Sequence, residues 1–388
     1  MSIRIVGVEP HLDPYVSWLP PNRQPERRKD FLRVFREVVD FAVRERVDIF
    51  ALPGDIFDVT RPKNSALIYF ARELVKLKRA GIHVFAVTGH HDRPRTASIP
   101  SVLNVFHEAG LLTLFYKLDV ISGKRVRING HDVWVGGLSY NPFLEPNQDP
   151  LSGVEVEAPS STDLSVLLTH NSISGLQPYS PEDPILDVGK LPGFVDLVVA
   201  GHLHAHIFKT IAGRKVCYVG TAERLSFNEE NQRKGFTLIE VEGREVRAEQ
   251  IPTDARPMKT VTVGIPERGD LTELIVGRLR ELSTEISSDS LVRVKLRGAM
   301  TLDMHRTYRR REILSEGNSL FFGVKLDESE VQYVESFEAP HVELETPLKE
   351  LERTYRKMVE ATEDEEERAV LREAYELASN TLTEVGGW

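Results

Sequence analysis

The sequence predicts an α/β protein in which helices cover a mainly parallel sheet and a strand-rich region builds a second sheet. Three observations lead to this prediction. Strands and helices alternate over the first 110 residues, as parallel strands joined by helical crossovers require. The chain from there to residue 254 contains mainly strands. Carboxylates and imidazoles follow five of the strands, which is where the functional groups of such sheets collect.

The first elements are assigned from the spacing of apolar residues. Phe31, Phe35 and Val38 recur at the period of one helix face. Short apolar runs bounded by polar segments predict buried strands. In order, the predicted elements are a strand at 3–8, a helix at 26–46, a strand at 48–52, a helix at 65–79, a strand at 83–88 and a helix at 98–109.

The region from 124 to 251 consists of apolar runs separated by turn residues. The predicted strands are KRVRING, HDVWVGGL, DLSVLLTH, VDLVVAG, KVCYVG, KGFTLIEVEG and EVRAEQI. A β-rich half added to an α/β half predicts a two-sheet sandwich flanked by helices, in a domain of residues 1–254.

Two further regions follow. Residues 255–326 alternate as β-α-β-α-β, which predicts a small α/β capping domain with one helix over LDMHRTYRRREIL. Residues 327–388 are predicted to form an acidic linker and a pair of amphipathic C-terminal helices. Pro347 suits the first position of a helix, and Thr362 with Glu365 matches a capping box for the second.

The net charge of −10 is unevenly distributed. Residues 326–388 hold 18 of the 59 acidic and 6 of the 49 basic residues, so the tail carries −12 and the rest of the chain +2. The acidity belongs to the tail, so the net charge does not argue against the body binding a polyanion. The single cysteine, Cys217, excludes an intrachain disulfide. The lack of a disulfide fits a reducing cytoplasm, where we expect the protein to be. No apolar run approaches the ~20 residues of a membrane helix, so we expect no membrane attachment.

The groups that follow the strands predict a metal centre. Each motif alone is commonly a turn or a hydrogen-bonding histidine. Their convergence at one edge of a parallel sheet favours a shared metal centre over chance. The motifs are Glu9-Pro10-His11, Gly54-Asp55-Ile56-Phe57-Asp58, Gly89-His90-His91-Asp92, LLTHNS with His170, and GHLHAH with His202 and His204.

Two ions fit this set better than one. The candidate side chains exceed the four ligands of a structural zinc site, and none is a cysteine. Asp55, at a tight glycine turn, is the candidate to bridge two cations. A cation pair ~3.5–4 Å apart stabilises both the attacking and the leaving oxygen of phosphoryl displacement. The predicted reaction is therefore hydrolysis of a phosphate ester.

In this order, the motifs E-P-H, GD-x-x-D, GHHD, THN and GH-x-H resemble those of the calcineurin-like metallophosphoesterases, and in particular the SbcD-type DNA double-strand-break repair nucleases. SIPSVLNVFHEAGLL, YVGTAERLSF and KGFTLIEV add to the resemblance, which is strongest over residues 2–251. It implies an αββα sandwich and a nuclease that is an exonuclease on duplex ends and an endonuclease on single strands or hairpins. It further implies two manganese ions, a homodimer, an SbcC-type coiled-coil ATPase partner and a nucleoid-associated location.

The resemblance also implies a role for each site residue. His91 would stand beside the scissile phosphate as a catalytic residue, with Asp92 orienting it. The ligands of one ion would be Glu9, His11, Asp55 and His204, and those of the other Asp55, His90, His170 and His202.

Two positions depart from the family pattern, which has aspartate in place of Glu9 and asparagine in place of His90. Both residues can still coordinate metal, so we expect a retained site rather than a decayed one. The resulting set of imidazoles suits zinc, iron, cobalt or nickel as alternatives to manganese.

DNA contacts are predicted in two places. The predicted capping domain carries Arg306, Arg309, Arg310 and Arg311, a group that can neutralise phosphates, although a run of charge is more commonly a solvated helix face. Near the metal loops lie Arg61, Lys63 and Arg93, for which solvation or local salt bridges are the alternative. The tail helices could dock the ATPase through their apolar stripes or pack on their own domain.

The leading hypothesis is a metal-dependent DNA nuclease of double-strand-break repair. The second is a catalytically weakened scaffold of the same fold that binds DNA and the partner. The third is a phosphodiesterase for small esters. The number of bound ions separates the first two, and hydrolysis without DNA affinity identifies the third.

Overall fold

A computed structural model describes residues 2–386 except 95, 97–98, 147, 179, 335–346 and 363. The strands are β1 (Ser2–Gly7), β2 (Ile49–Pro53), β3 (His83–Val87), β4 (Thr113–Phe115), β5 (Val120–Ile128), β6 (His131–Leu138), β7 (Glu155–Val156), β8 (Leu164–Thr169), β9 (Ser172–Ile173), β10 (Ile185–Leu186), β11 (Leu197–Ala200), β12 (His206–Ile211), β13 (Arg214–Val219), β14 (Gly235–Glu242), β15 (Glu245–Pro252), β16 (Met258–Gly264), β17 (Leu291–Thr301) and β18 (Gly323–Val334). The helices are α1 (Gln24–Arg44), α2 (Asn64–Arg79), α3 (Leu103–Glu108), α4 (Leu271–Glu285), α5 (Leu302–Thr307), α6 (Arg310–Leu320), α7 (Pro347–Ala361) and α8 (Glu365–Gly386).

The first sheet has the strand order β15-β14-β1-β2-β3-β4. Strands β1 to β4 are parallel, and α1, α2 and α3 make the crossovers between them. Apolar side chains of α1 and α2, including Phe35 and Phe70, pack on the outer face of this sheet. The predicted alternation of strands and helices is confirmed, although the third helix is shorter than predicted.

The second sheet has the order β12-β13-β11-β8-β6-β5-β7. It packs on the first sheet through a buried apolar layer to which Ile5, Val87 and Val199 contribute. The predicted two-sheet sandwich is therefore confirmed. The opposite face of the second sheet packs against apolar side chains between 173 and 195, where the chain forms the short strands β9 and β10 and a 3-10 turn at Val188–Lys190.

A smaller sheet, ordered β16-β17-β18, follows. Its strands β16 and β17 are parallel and joined by α4, as the sequence predicts. The prediction of one helix over LDMHRTYRRREIL is wrong, because α5 ends at Thr307 and α6 begins at Arg310. Arg309 has φ −94° and ψ 71°, outside the helical region, and its backbone N–H donates to Thr272 Oγ1 at 2.9 Å. This contact takes the place of the hydrogen bond that the Arg309 N–H would donate to a preceding carbonyl in a continuous helix.

A buried ionic cluster joins α1 to the start of the smaller sheet. Arg27 is 1% exposed, and its Nη1 lies 3.0 Å from Asp30 and 3.4 Å from Glu223. Arg256, just before β16, contacts the same Asp30 at 2.6 Å and stacks on the Phe322 ring at 3.6 Å. Buried charges are stable when paired and hydrogen-bonded in this way. The cluster therefore ties the sandwich to the smaller sheet.

By its internal contacts the chain divides into one unit of residues 1–298 and 309–330 and another of residues 299–308 and 331–388. The predicted boundaries at 254 and 326 remain predictions, and most of the predicted linker, residues 335–346, lies outside the described residues. Both tail helices are present. Asp364, rather than Thr362, caps α8, because its Oδ1 accepts the backbone N–H of Glu366 while the Thr362 hydroxyl donates to the Met358 carbonyl. Among the described residues, none of the helices combines the length and apolar character that crossing a membrane requires.

Candidate metal centre

The predicted metal ligands come from five strand ends and meet at one edge of the sandwich. Within each sheet the strands concerned are parallel, so their carboxyl ends lie on the same side. Glu9 and His11 follow β1, Asp55 follows β2, His90 follows β3, His170 follows β8, and His202 and His204 follow β11.

Asp55 lies at the centre of this group. Its Oδ2 atom is 2.9 Å from His90 Nδ1, 3.2 Å from His170 Nε2 and 3.8 Å from His11 Nε2. His90 Nδ1 and His170 Nε2 are themselves 3.2 Å apart. The Asp55 carboxylate therefore faces imidazole nitrogens from both sheets, as a ligand shared between two ions would.

Glu9 also reaches the centre. Its Oε1 atom lies 3.0 Å from His11 Nε2 and 3.7 Å from His204 Nε2. Its Oε2 atom accepts a hydrogen bond from the backbone N–H of His202 at 2.8 Å. The side chain is completely buried, so its length serves to connect the first sheet with the second.

Two of the histidines are held on their outer side by groups close to the ligand motifs. His11 Nδ1 contacts Asp58 Oδ1 at 3.1 Å, and His170 Nδ1 contacts the Pro53 carbonyl oxygen at 2.8 Å. Metal-ligating histidines commonly bond through their second ring nitrogen in this way, which orients the ring. Asp58 belongs to the predicted GD-x-x-D motif, and the structure gives it this supporting position.

Two other histidines are held by acids that the sequence did not single out. His202 Nε2 contacts Asp183 Oδ2 at 2.9 Å, and His204 Nδ1 contacts Glu229 Oε1 at 2.8 Å. Glu229 also contacts the buried Lys234 at 2.7 Å. Burial raises the pKa of both acids, but the hydrogen bonds from their histidines lower each pKa to about 2. Asp183 comes from a loop and Glu229 from the short 3-10 helix Phe227–Glu229, so no periodic pattern in the sequence could have connected them with a histidine.

The backbone around the ligands adopts conformations that are rare outside glycine. Gly54, Asp55 and His202 have φ of 93°, 47° and 95°. A Cβ atom added at Gly54 would lie 2.4 Å from His170 Nδ1, and one added at Gly89 would lie 2.1 Å from Asp55 Oδ1. These two glycines are therefore needed for the close packing of the ligands. Strained backbone of this kind concentrates at functional sites.

The buried carboxylates make the centre attractive to cations. Burial raises the pKa of Glu9, but the hydrogen bond from His11 and the neighbouring imidazoles lower it to about 2. Burial likewise raises the pKa of Asp55, yet the charge of His170 holds that pKa well below its usual range. Against the effect of burial, Asp55 and Glu9 raise the pKa of His170 to about 9. Protons and metal ions therefore compete for the same positions.

The donor set fits divalent metal ions. Asp55 Oδ2 is buried and makes no contact with hydrogen-bond geometry to the described residues, although imidazole nitrogens surround it. A buried charged oxygen of this kind is costly unless a cation binds it. Ligand atoms within 4.8 Å of one another form three groups that matter here: Glu9, His11 and His204; His90, His170 and His202; and Glu9, Asp55 and His170.

Comparison with known proteins agrees with this chemistry. A family model described as calcineurin-like phosphoesterase matches residues 11–206, just over half of the chain. The chain belongs to the calcineurin-like phosphoesterase family. Members of this family bind divalent metals, and the fold of this phosphoesterase is the two-sheet sandwich of that family.

Several relatives are named DNA double-strand break repair protein Mre11. The protein of Sulfolobus acidocaldarius is 25% identical, over 71% of this chain and 71% of its own. Those of Sulfurisphaera tokodaii and Thermoplasma acidophilum are 28% and 27% identical, over 61% and 68% of this chain and 60% and 67% of their own. This phosphoesterase therefore has DNA repair proteins among its relatives, whereas a specific SbcD-type identity stays a prediction.

His91 lies beside the ligand group of this phosphoesterase. Its ring centroid is 4.1 Å from that of His90 and 5.4 Å from that of His11. The backbone N–H of His91 donates to Asp55 Oδ1 at 2.9 Å. The predicted catalytic histidine is thus positioned relative to the central carboxylate through its own backbone.

Asp92 holds two of the ligand loops together. Its carboxylate accepts the backbone N–H groups of Ile56, Phe57 and Gly89 at 3.1, 2.9 and 3.0 Å. By the resemblance, Asp92 is expected to orient the His91 side chain. Among the described contacts its carboxylate instead bonds to these backbone N–H groups and not to the His91 ring. Burial raises the pKa of Asp92 to about 6.

The basic residues predicted near the metal loops differ in environment. Arg61 and Lys63 are exposed, in the segment between the Asp55 loop and α2. Arg93 is partly buried, and its Nη1 donates to the Tyr116 carbonyl at 3.0 Å.

Most of the arginines at 306–311 are engaged by acids of the same chain. Arg311 is exposed. The other three are exposed and form local salt bridges, so a phosphate would have to compete with a carboxylate. The pairs are Arg306 with Asp303 at 3.3 Å, Arg309 with Glu312 at 2.7 Å and with Asp270 at 3.2 Å, and Arg310 with Glu328 at 2.5 Å.

Proposed function

We propose that this phosphoesterase is a metal-dependent DNA nuclease of double-strand-break repair. It acts as an exonuclease on duplex ends and as an endonuclease on single strands or hairpins, together with an SbcC-type coiled-coil ATPase. The main support is the convergence of Glu9, Asp55 and the histidines on one edge of the sandwich, in a chain similar to Mre11 repair proteins.

We assign two divalent ions to the centre. Manganese is the metal that the resemblance implies, while the second ligand group, with three imidazoles and one carboxylate, also suits zinc, iron, cobalt or nickel. When bound, such ions activate water and stabilise charge on a phosphate. By the resemblance, the proposed ligands of the first ion are Glu9, His11, Asp55 and His204, and those of the second are Asp55, His90, His170 and His202. Ligand atoms of Glu9, His11 and His204, and of His90, His170 and His202, lie within 4.8 Å of one another, which supports these two sets.

We assign His91 to the scissile phosphate, where its ring can donate a hydrogen bond to a phosphate oxygen or a proton to the leaving oxygen. Its distance to the ligand group supports this role, since the His90 and His91 rings are 4.1 Å apart. Asp92 supports the reaction by holding the Asp55 loop against the Gly89 loop through their backbones.

DNA phosphates would be bound mainly by Arg61, Lys63, Arg93 and Arg311. The first two are exposed beside the Asp55 loop, and Arg93 follows His91 by two residues. The other arginines of the smaller sheet's helices contribute only where a phosphate displaces an acidic partner. A capping role of residues 255–326 in DNA binding is part of this proposal.

The tail helices are proposed to dock the ATPase. Met358, Val370 and Leu377 are 52%, 65% and 72% exposed, which leaves apolar surface for a partner helix. A homodimer and a cytoplasmic, nucleoid-associated location are the further parts of the proposal, and both rest on the resemblance to repair nucleases.

Cleavage of end-labelled duplex, hairpin and single-stranded DNA tests the proposal. Purified protein would be incubated with each substrate and with Mn, Zn, Fe, Co or Ni, in the presence and absence of the ATPase. We expect metal-dependent degradation that Asp55→Ala abolishes and that Asp254→Ala, at a position 89% exposed, leaves unchanged. No degradation under any of these conditions would reject it.

Two other results would assign the protein differently. DNA binding with fewer than two ions per chain and no cleavage would identify a weakened scaffold. Hydrolysis of bis-p-nitrophenyl phosphate without DNA affinity would identify a phosphodiesterase for small esters.

A further inference from the structure

His202 and His204 are bonded to acids through opposite ring nitrogens. His202 uses Nε2, which lies 2.9 Å from Asp183 Oδ2, whereas His204 uses Nδ1, which lies 2.8 Å from Glu229 Oε1. An ionised carboxylate only accepts hydrogen bonds, so each imidazole must be the donor. The proton therefore sits on Nε2 of His202 and on Nδ1 of His204.

A neutral imidazole with one protonated nitrogen offers the other as a lone pair. His202 then presents Nδ1 and His204 presents Nε2. The two rings also belong to different groups of ligand atoms, His202 with His90 and His170, and His204 with Glu9 and His11. His204 Nε2 lies 3.7 Å from Glu9 Oε1, as this arrangement requires.

The sequence spacing alone would not separate the two rings. Residues two apart in an extended chain point to the same side, so identical tautomers would offer the same nitrogen to one place. The positive φ of His202, 95°, already departs from an extended backbone. The two hydrogen bonds use different ring nitrogens, so a different nitrogen of each ring is left to bind a metal ion.

Asp183 is itself held in place. Its Oδ2 atom accepts the Ser172 hydroxyl at 2.8 Å and the backbone N–H of Ser180 at 3.0 Å, in addition to the His202 ring. Three donors on one oxygen keep the carboxylate ionised and orient it. The position of the His202 ring is thereby coupled to the loop between β9 and β10.

Glu229 is held by a buried lysine. Lys234 is 2% exposed, and its Nζ lies 2.7 Å from Glu229 Oε2 and 2.8 Å from Thr221 Oγ1. The same Oε2 accepts the backbone N–H of Leu225 at 3.1 Å. Oε2 is therefore occupied by these donors, which leaves Oε1 for His204.

We propose that Asp183 and Glu229 are positioning residues that select opposite tautomers of His202 and His204 and so direct the two rings to different ions. Because the ions belong to the proposed function, this assignment rests on that proposal. It adds that each acid serves one ion: Asp183 the ion bound with His90 and His170, and Glu229 the ion bound with Glu9 and His11.

Tautomers can be measured without any metal. Nitrogen NMR of the metal-free protein labelled with ¹⁵N-histidine, at mildly alkaline pH, reports which ring nitrogen carries the proton. Signals are assigned with His202→Gln and His204→Gln. We expect protonation of Nε2 in His202 and of Nδ1 in His204. The same tautomer in both rings, or the reverse pair, would overturn the proposal.

Metal titration tests the consequence. Asp183→Asn and Glu229→Gln replace an obligate acceptor by an amide that can also donate, so the tautomer is no longer selected. By calorimetry and metal analysis with Mn²⁺ and with Zn²⁺, each variant should bind one ion about 10–100-fold more weakly and retain the other.

Two neighbouring acids supply matched controls. Asp187→Asn lies in the same segment as Asp183 but accepts the Gly189 backbone N–H, and Glu230→Gln follows Glu229 but contacts Thr260. Both should bind two ions like the unaltered protein. Unchanged affinity in the test variants, or equal loss in the controls, would overturn the assignment. If the unaltered protein binds no metal, the proposed function fails, whereas the tautomer measurement still decides the roles of the two acids.

Discussion

Shortening Glu9 to aspartate should weaken both the fold and the metal centre, although aspartate is the residue of the related motif. Removal of one methylene withdraws the carboxylate by roughly 1.5 Å, the length of a carbon–carbon bond. Oε2 now lies 2.8 Å from the backbone nitrogen of His202. Withdrawal would lengthen this contact to roughly 4 Å, beyond hydrogen-bonding distance. A buried N–H group left without a partner costs about 1–3 kcal/mol.

Urea unfolding of the metal-free protein measures the first effect. We expect Glu9→Asp to lower the free energy of unfolding by about 1–3 kcal/mol. Calorimetric titration measures the second effect, since metal sites tolerate a ligand displacement of only ~0.2 Å. The ion bound with His11 and His204 should be lost or strongly weakened.

Glu9→Gln is the matched control because it keeps the length and an oxygen for the His202 N–H but removes the charge. It should keep the hydrogen bond from the His202 N–H, so that its loss of stability reflects the removed charge alone, and it should still lose metal affinity. Suppose that Glu9→Asp were as stable as the unaltered protein and bound both ions as tightly as that protein does. The backbone would then have to move freely to compensate for the shorter side chain. The reasoning from side-chain length would then be refuted.

Three further predictions concern metal choice, acid stability and the ionic cluster. His90→Asn exchanges an imidazole nitrogen for an amide oxygen, so metal analysis after dialysis against equimolar Mn²⁺ and Zn²⁺ should show a larger share of manganese. Glu229 has its pKa lowered from 4.5 to about 2 in the folded state, so its contribution to stability is complete above pH 4.5 and is lost as the pH falls towards 2. Over that interval the metal-free protein should lose up to about 3 kcal/mol more of its unfolding free energy than Glu229→Gln, measured by urea unfolding at each pH. Arg256→Ala leaves the buried Asp30 with Arg27 as its remaining partner and should cost about 1.5–3 kcal/mol of unfolding free energy, the range for a hydrogen bond to a charged group, measured in the same way.

Each of these has an outcome that contradicts it. An unchanged ratio of manganese to zinc in His90→Asn would show that His90 does not set the preference. If Glu229→Gln and the unaltered protein lost stability equally as the pH falls, the pKa of Glu229 would not be lowered by His204 and Lys234 in the folded protein. For Arg256, the control is Arg247→Ala, whose pair with Glu245 is exposed, so the unfolding free energy should be nearly unchanged. An equal loss in both variants would mean that burial of the cluster is irrelevant.

The side chains that meet in the candidate metal centre could be predicted from the sequence because they are local to strong patterns. Asp55 and His90 follow apolar runs whose period and length identify buried strands, and parallel strands bring their ends together. The acids behind the ligands could not be predicted in this way. Asp183 and Glu229 lie 19 and 25 residues from the histidines that they bond, in segments without periodicity.

The same distinction explains the helix that was predicted wrongly. The composition around Arg309 is compatible with a continuous helix, and the break depends on a hydrogen bond to Thr272, 37 residues away. The ionic cluster is still less visible in the sequence, because Arg256 and Asp30 are 226 residues apart. Contacts between distant polar groups depend on the finished fold and leave no local periodic pattern.

The ligands of the centre come from both layers of the sandwich, and this has a mechanical consequence. An ion bound by both Asp55, which follows β2, and His170, which follows β8, would connect the two sheets at this edge. Secreted proteins obtain such cross-links from disulfides, which the lone Cys217 cannot form within this chain. Chelation should therefore let this edge open while the apolar layer keeps the sheets together elsewhere, so that limited proteolysis would cut first in the ligand loops.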